Sequence, residues 1–229
     1  MPTSVSPRYL LEGAVYALEQ CGLLLRDANV LYRNGSYSSA VAVALFAQEE
    51  LGRWSILLDL RRKVLDGDNV TVKDIQASCG NHVRKQEAGM MSFTMRVVTD
   101  PGGLLYTYLN VRQGSEEWNT AREQLEQARQ TVPVGRHKQR MSALYVDAVS
   151  AGRWRRPTRE ISLITAYVYL QGAANDYSGQ WDRCANPSVH KPDDPELYTA
   201  LENWPARPIL LPRPERPSLP PWLDFKPPA

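Results

Sequence analysis

The segment between residues 24 and 53 constrains the fold more than any other, because it contains two apolar helical stretches separated by a very short turn. Its sequence is LLRDANVLYRNGSYSSAVAVALFAQEELGR. Asn34 and Gly35 favour the left-handed backbone that ends a helix. So short a connection predicts that the two helices are antiparallel neighbours. The second helix also carries two adjacent acids, Glu49 and Glu50, within an otherwise apolar surface.

Signals for further helices flank this segment. Ser6 followed by Pro7 is typical of a helix start, and apolar residues then recur at helical spacing as far as Tyr32. Thr71 and Asp74 have the spacing of a capping box that begins a short third helix. Later helices are predicted over about 116–130, 137–151 and 159–177, and strand-type alternation is absent. The sequence therefore predicts an all-α fold, a bundle of about four to six helices.

The last 25 residues differ in composition from the rest of the chain. They hold nine of the 17 prolines, and proline is poorly tolerated inside helices and sheets. They also hold four Lys/Arg and two Asp/Glu, which leaves 23 of each before residue 205 and no net charge there. Overlapping Pro-x-x-Pro spacings suit docking into a groove, but the favoured alternative is a disordered terminus whose aromatic end folds back onto its own domain. We therefore divide the chain into a helical domain, residues 1–204, and an extended or disordered tail, residues 205–229.

Composition and short motifs exclude several classes of protein. A net charge of +2 gives no global argument for nucleic-acid binding. The three cysteines are far apart and form no CxxC pair, so neither a disulfide framework nor a zinc site is expected. The N-terminus lacks a basic region followed by an apolar run, and no window is long and apolar enough to span a membrane. We expect a cytoplasmic protein with no cofactor, no metal and no membrane contact.

The acidic pair is the main candidate for a functional site, because burying an uncompensated carboxylate costs a great deal of free energy. A purely structural explanation is an ion pair between Glu49 and Arg53, with a second contact to a neighbouring helix. The alternative is a role in catalysis, ligand binding or subunit contact. A partner for either role lies in a later segment, where His82 and Lys85 share one helical face. A histidine in that place can act as an acid, a base or a ligand.

A di-iron carboxylate bundle is also a helical fold with buried glutamates, but it requires a Glu-x-x-His motif on each of two helices. The residues three positions before the three histidines are Cys79, Val134 and Pro187. The di-iron class is therefore excluded. A small-molecule enzyme is also disfavoured, because the sequence has neither a glycine-rich phosphate loop nor a nucleophile paired with a base.

A local excess of basic residues lies between residues 136 and 159, where seven Lys/Arg accompany a single acid. Such a surface can hold an RNA or DNA backbone even when the whole chain is nearly neutral. The candidates are Arg153, Arg155 and Arg156, which flank Trp154, a side chain that can stack on a base. The alternative is a solvated helix end with cations near its carbonyl groups.

Six short motifs together resemble one protein family. They are residues 10–14 (LLEGA), 24–28 (LLRDA), 35–37 (GSY), 47–53 (AQEELGR), 82–85 (HVRK) and 143–147 (ALYVD). This set is similar to the AbiV-type abortive infection family over roughly residues 8–150. Arg53 stands where the family usually has lysine, which keeps the charge. Nothing in the resemblance accounts for the proline-rich tail.

The resemblance implies a HEPN-type helical domain, a bacterial cytoplasmic setting and a role in restricting phage. Many HEPN proteins are metal-independent ribonucleases that dimerise and bring two Arg-x(4–6)-His motifs together. In such a motif arginine steadies the phosphate while histidine takes the proton of the ribose 2′-hydroxyl. The spacing fits only Arg183 with His190, and Asn186-Pro187 interrupts the helix that would present the pair. Arg129 and His137 have seven residues between them and do not fit.

The resemblance leaves two hypotheses open. The first is a homodimeric antiviral effector that acts on RNA or on the translation apparatus of infected cells, as a HEPN-type ribonuclease if it is an enzyme. Its candidate site is a polar cluster between helices, formed by Glu49, Glu50, Arg53, His82 and Lys85. The second is a non-catalytic helical module that binds a phage or host protein, which the poor Arg-x(4–6)-His motif favours.

Overall fold

The computed structural model describes residues 4–94, 112–150 and 153–185, together with the single residues 196 and 199. Most of these residues are helical, which confirms the predicted all-α fold. The elements in chain order are α1 (Pro7–Arg33), α2 (Tyr37–Leu65), α3 (Val72–Gly80), α4 (His82–Thr94), α5 (Glu116–Leu144), β1 (Asp147–Ser150), β2 (Arg153–Arg155), α6 (Pro157–Glu160) and α7 (Leu163–Ala185). The proline-rich tail lies outside the described residues, so the division at residue 204 stays a prediction.

The predicted helical hairpin of α1 and α2 is present, and local signals set its ends. The Ser6 hydroxyl oxygen accepts a hydrogen bond from the Tyr9 amide at 3.1 Å, as expected of an N-cap. Gly35 has a φ of 75°, the left-handed conformation that the short turn requires. The Thr71–Asp74 capping box begins α3, also as predicted.

Helix α2 is the centre of the domain and contacts α1, α4, α5 and α7. It is buried on several sides because its middle turns are apolar nearly all round, as in a core helix. The large side chains at its contacts are fully buried, including Leu18 and Leu25 from α1, Leu45 and Trp54 from α2, and Leu170 from α7. Polar side chains on this helix therefore lie inside the bundle unless they face one of its grooves.

Two glycines allow α2 and α4 to approach until their backbones touch. A Cβ atom on Gly52 would lie 1.8 Å from the Lys85 carbonyl oxygen. A Cβ atom on Gly89 would lie 2.7 Å from the Gln48 carbonyl oxygen. No side chain fits at either position, so the pair fixes the separation of the two helices.

The region after residue 116 differs from the prediction. One continuous helix, α5, includes Pro133 and replaces the two helices predicted over 116–130 and 137–151. The helix ends at Leu144, so the predicted extension to residue 151 is wrong. The chain there turns into an antiparallel pair in which Asp147 lies opposite Arg155. Such pairing depends on contacts across the turn, which helical periodicity does not report.

The helix predicted over 159–177 is divided in two. A short helix, α6, ends before Ile161, and α7 then begins at Leu163. Ile161 is buried and extended, which accounts for the break because its side chain joins the core there. Within the described ranges, no helix has the length and apolar character needed to cross a bilayer.

Candidate functional site

Glu49 lies at the centre of a buried cluster in which three helices supply charged groups. Its carboxylate Oε2 is 3.2 Å from Lys85 Nζ and 2.6 Å from His82 Nδ1. Its other oxygen, Oε1, accepts a hydrogen bond from Arg140 Nη1. The Glu49 side chain is only 3% exposed, and a charge so deeply buried requires opposite charges and hydrogen bonds around it. Lys85 and Arg140, both buried, supply them.

The position of α4 explains why His82 and Lys85 both face Glu49. The two residues are three apart and share one face of the helix. The close backbone contact at Gly52 brings that face against α2. Gln86 Nε2 donates a hydrogen bond to the Leu45 carbonyl oxygen at 3.0 Å, which fixes the register of the two helices. The contact between Glu49 and the 82–85 segment, expected from the sequence, is therefore a product of this helix packing.

Arg140 from α5 is a central member of the cluster that the sequence did not single out. Its Nη2 atom is 3.1 Å from His137 Nδ1, while Nη1 binds Glu49. Its guanidinium also lies over the Phe46 ring, 5.1 Å from the centroid, a cation–π geometry. His137 and Arg140 are one helical turn apart on the same face, and this spacing was the signal that could have located them. The order and spacing of these two residues do not match Arg-x(4–6)-His.

The hydrogen-bond partners favour different neutral tautomers for the two histidines. In the neutral form of His82, Nδ1, which lies 2.6 Å from the carboxylate of Glu49, carries the proton and Nε2 has the free lone pair. Arg140 Nη1, which is 3.1 Å from the same nitrogen, then binds Glu49 rather than the ring. His137 Nδ1 faces a guanidinium, which donates only, so this nitrogen accepts and Nε2 carries the proton.

The two rings lie side by side at the solvent edge of the cluster. Their centroids are 6.2 Å apart, and the His82 side chain is 49% exposed. His137 is partly buried. One ring thus offers a proton acceptor and the other a proton donor to a molecule bound at this edge. Among the described residues no set of three His, Cys, Asp or Glu side chains is placed to hold a metal ion.

Glu50 and Arg53 face a different surface from Glu49. Arg53 Nη2 is 3.4 Å from Glu50 Oε1, so the predicted ion pair between Glu49 and Arg53 is wrong. Both residues line a groove between α1, α2 and α3. Successive residues on a helix point about 100° apart, which separates the two adjacent acids. The five residues expected to form one cluster therefore divide into two groups.

Burial raises the pKa of Glu50 above its ordinary value, although the charges of Arg53 and Lys85 oppose the shift. A raised carboxyl pKa means that the folded state holds this proton more tightly than the unfolded state does. The stabilising contribution is therefore complete at pH values below the unfolded pKa. It is lost as the pH rises through the folded pKa.

Glu50→Gln should remove this pH dependence, because glutamine does not titrate. We expect the free energy of unfolding of the variant minus that of wild type to be more positive at pH 7 than at pH 4, because only wild type loses stability as Glu50 ionises. Urea unfolding of both proteins at the two pH values measures the difference. A difference that is the same at pH 4 and pH 7 would contradict the raised pKa.

The other residues singled out in the sequence lie elsewhere. Arg153 and Arg156 are exposed on and next to the β1–β2 hairpin, and Trp154 between them is 63% exposed. Arg155 is partly buried and donates a hydrogen bond from Nη1 to the Ser142 hydroxyl at 3.3 Å. That bond ties the hairpin to the end of α5. Arg183 falls in the last turn of α7 and His190 lies outside the described residues, so the spacing match between them stays a prediction.

Comparison with known protein families identifies a match over most of the chain. A family model for AbiV proteins of the HEPN type matches residues 9–177, well over half of the chain. The matched range contains Glu49, His82, His137 and Arg140. No curated protein matches the chain, and no solved structure matches it.

Proposed function

This chain belongs to the AbiV family, whose family-level role is antiviral abortive infection, and we propose that it restricts phage by cleaving RNA at His82 and His137. The observation that carries the proposal is the pair of histidine rings, 6.2 Å apart at their centroids, that contact Glu49 and Arg140. RNA cleavage by its own 2′-hydroxyl needs a base, a donor to the phosphate and positive charge. This cluster contains all three without a metal.

The proposed reaction begins when His82 Nε2 takes the proton of the ribose 2′-hydroxyl. The 2′-oxygen attacks the phosphorus and forms a new P–O bond, and the bond to the 5′-oxygen breaks. The leaving 5′-oxygen takes the proton back from His82, so the products are a 2′,3′-cyclic phosphate and a 5′-hydroxyl end. Glu49 stabilises the imidazolium that exists between the two transfers. His137 Nε2–H donates to a phosphate oxygen, where negative charge increases.

The hairpin next to the end of α5 is the surface that we propose for the rest of the RNA strand. Arg153 and Arg156 are exposed and can contact phosphates, whereas the guanidinium of Arg155 holds the hairpin in place. Trp154 is exposed enough for a base to stack on it. Because α5 carries both His137 and the hairpin anchor Ser142, a single strand can contact both surfaces.

RNA integrity in infected cells and with purified protein tests the proposal. We expect His82→Ala to lower the cleavage rate by about 10²–10⁴-fold, the usual contribution of a general base. We expect His137→Ala to lower it by about 10²-fold through loss of a donor to the phosphate. His190→Ala is the control and should retain full activity. Circular dichroism checks that each variant is folded.

Three results would contradict the proposed site. Loss of cleavage in His190→Ala alone would move the active site to the Arg183–His190 motif. Equal activity in wild type and His82→Ala would exclude His82 as the base. A folded protein that protects against phage without cleaving RNA would favour the interaction module.

A non-catalytic role in binding a phage or host protein is the second candidate. The observation that favours it is an apolar surface at the end of α5, where Met141, Leu144, Tyr145 and Val146 are each more than 40% exposed. Exposed apolar surface of this kind is typical of protein contacts. We propose a homodimer under either function, because HEPN domains commonly dimerise. Light scattering of the purified protein measures the mass.

A further inference from the structure

A groove between α1, α2 and α3 is separate from the histidine pair. Its volume is about 520 Å³, and its lining is mainly apolar. Tyr9 and Tyr16 lie along one side and are 53% and 58% exposed. Two carboxylates, Glu12 and Glu50, and one guanidinium, Arg53, also line it. The groove thus combines tyrosine rings with a small excess of negative charge.

The chain after α7 returns to α2 close to this groove. Glu196 Oε2 accepts a hydrogen bond from Arg61 Nη2 at 2.6 Å. Arg61 lies one helical turn beyond Leu57, which lines the groove, so the separation along the helix is about 5–6 Å. The nine residue-to-residue steps from 196 to 205 can span up to about 30 Å when extended. The proline-rich tail, residues 205–229, therefore begins within reach of the groove.

The composition of the tail matches the groove. Nine prolines in 25 residues favour the polyproline II conformation, which binds grooves lined by aromatic rings. Three arginines, Arg207, Arg213 and Arg216, each precede a proline and can pair with carboxylates.

The backbone of a polyproline segment also fits the groove. Its carbonyl oxygens have no internal hydrogen bonds and remain free to accept. Arg53 lines the groove and its side chain is 40% exposed, so its guanidinium can donate to a tail carbonyl.

We propose that the proline-rich tail binds in this groove of its own chain. Its prolines lie against Tyr9 and Tyr16, and its arginines pair with Glu12 or Glu50. Glu12 already contacts Arg8 at 3.3 Å, but that pair is exposed and contributes little, so a tail arginine can displace it. The contact buries apolar surface that the helical domain otherwise leaves open. It does not depend on whether the histidine pair cleaves RNA.

Photo-crosslinking of the full-length protein tests this contact. Tyr16 is replaced by benzoylphenylalanine, and ¹⁴N- and ¹⁵N-labelled proteins are mixed before irradiation. We expect the main product to join Tyr16 to a peptide within 205–229, with both parts carrying the same isotope. The same replacement at Tyr145, which is 56% exposed and outside the groove lining, is the control and should give no tail product. Products of mixed isotope would show that the tail of a second copy binds instead, and products without tail peptides would overturn the proposal.

Charge reversal in the tail gives an independent measurement. The triple variant Arg207→Glu, Arg213→Glu and Arg216→Glu should lower the yield of the tail crosslink at least about tenfold, equivalent to about 1.4 kcal/mol. The matched control reverses the exposed residues Arg153, Arg156 and Arg159, which lie outside the groove lining, and should leave the yield unchanged. An unchanged yield in the tail variant, or an equal loss in both variants, would overturn the proposal.

Discussion

Glu49→Ala is expected to lower the free energy of unfolding by about 3–5 kcal/mol, the usual cost of removing one partner from a buried ion pair. The reason is that two cations would remain buried without a counter-charge. The side chains of Lys85 and Arg140 are each only 6% exposed, so water cannot replace the lost carboxylate. Urea unfolding at pH 7 measures the change. The same variant should lose RNA cleavage, since His82 loses the group that holds its Nδ1 proton.

Glu50→Ala is the matched control for this prediction, because the two acids are neighbours on one helix. Arg53, the partner of Glu50, is 40% exposed and remains hydrated when the carboxylate is removed. We expect the stability of this variant to lie within about 1 kcal/mol of wild type, because Arg53 keeps its contact with water and the desolvation cost of Glu50 is removed together with its ion pair. Equal losses in the two variants would show that the Glu49 cluster is not the main electrostatic contribution to stability.

Gly52→Ala is expected to destabilise the protein by at least about 2–3 kcal/mol, at the upper end of the range for overpacked cores. The added methyl group would overlap the Lys85 carbonyl oxygen, which belongs to the backbone and cannot rotate away. Helix α4 must therefore move off α2, and this motion separates His82 and Lys85 from Glu49. Thermal and urea unfolding measure the loss of stability, and RNA cleavage reports the loss of the site.

Gly172→Ala is the control for the glycine prediction. Gly172 lies inside α7, and a Cβ atom there would meet no atom within 4 Å. Alanine is the better residue in a helix interior, so the variant should be more stable than wild type by about 0.5–1 kcal/mol. If both alanine variants had wild-type stability, the helices would have room for a methyl group at Gly52, and the close backbone contact there would not be required for stability.

The sequence was sufficient wherever a short segment determines its own conformation. Ser6 and the Thr71–Asp74 pair set helix starts through hydrogen bonds that span only three residues. Gly35 ended the first helix because only glycine adopts the turn conformation without strain. Local signals were not sufficient after Leu144, where the chain forms a hairpin that depends on pairing between strands rather than on helical period.

The sequence also indicated the acidic pair and the segment that contacts it. An acid in an apolar helix requires a partner, and His82 and Lys85 shared a suitable face. The structure brings both of them to Glu49. Whether these residues cleave RNA stays a prediction that the histidine variants test.

Only the tertiary structure decided which acid takes which partners. Arg140, which binds Glu49, lies 91 residues away from it in sequence. Glu50 faces a different surface, where it pairs with Arg53. These outcomes depend on how each helix is rotated about its axis, which the packing of α2 against its neighbouring helices sets. The sequence determined that a buried carboxylate needs compensation, because desolvation of a charge is costly in any fold. The packing determined which cations supply it, because a hydrogen bond requires a separation of about 3 Å that only the assembled bundle provides.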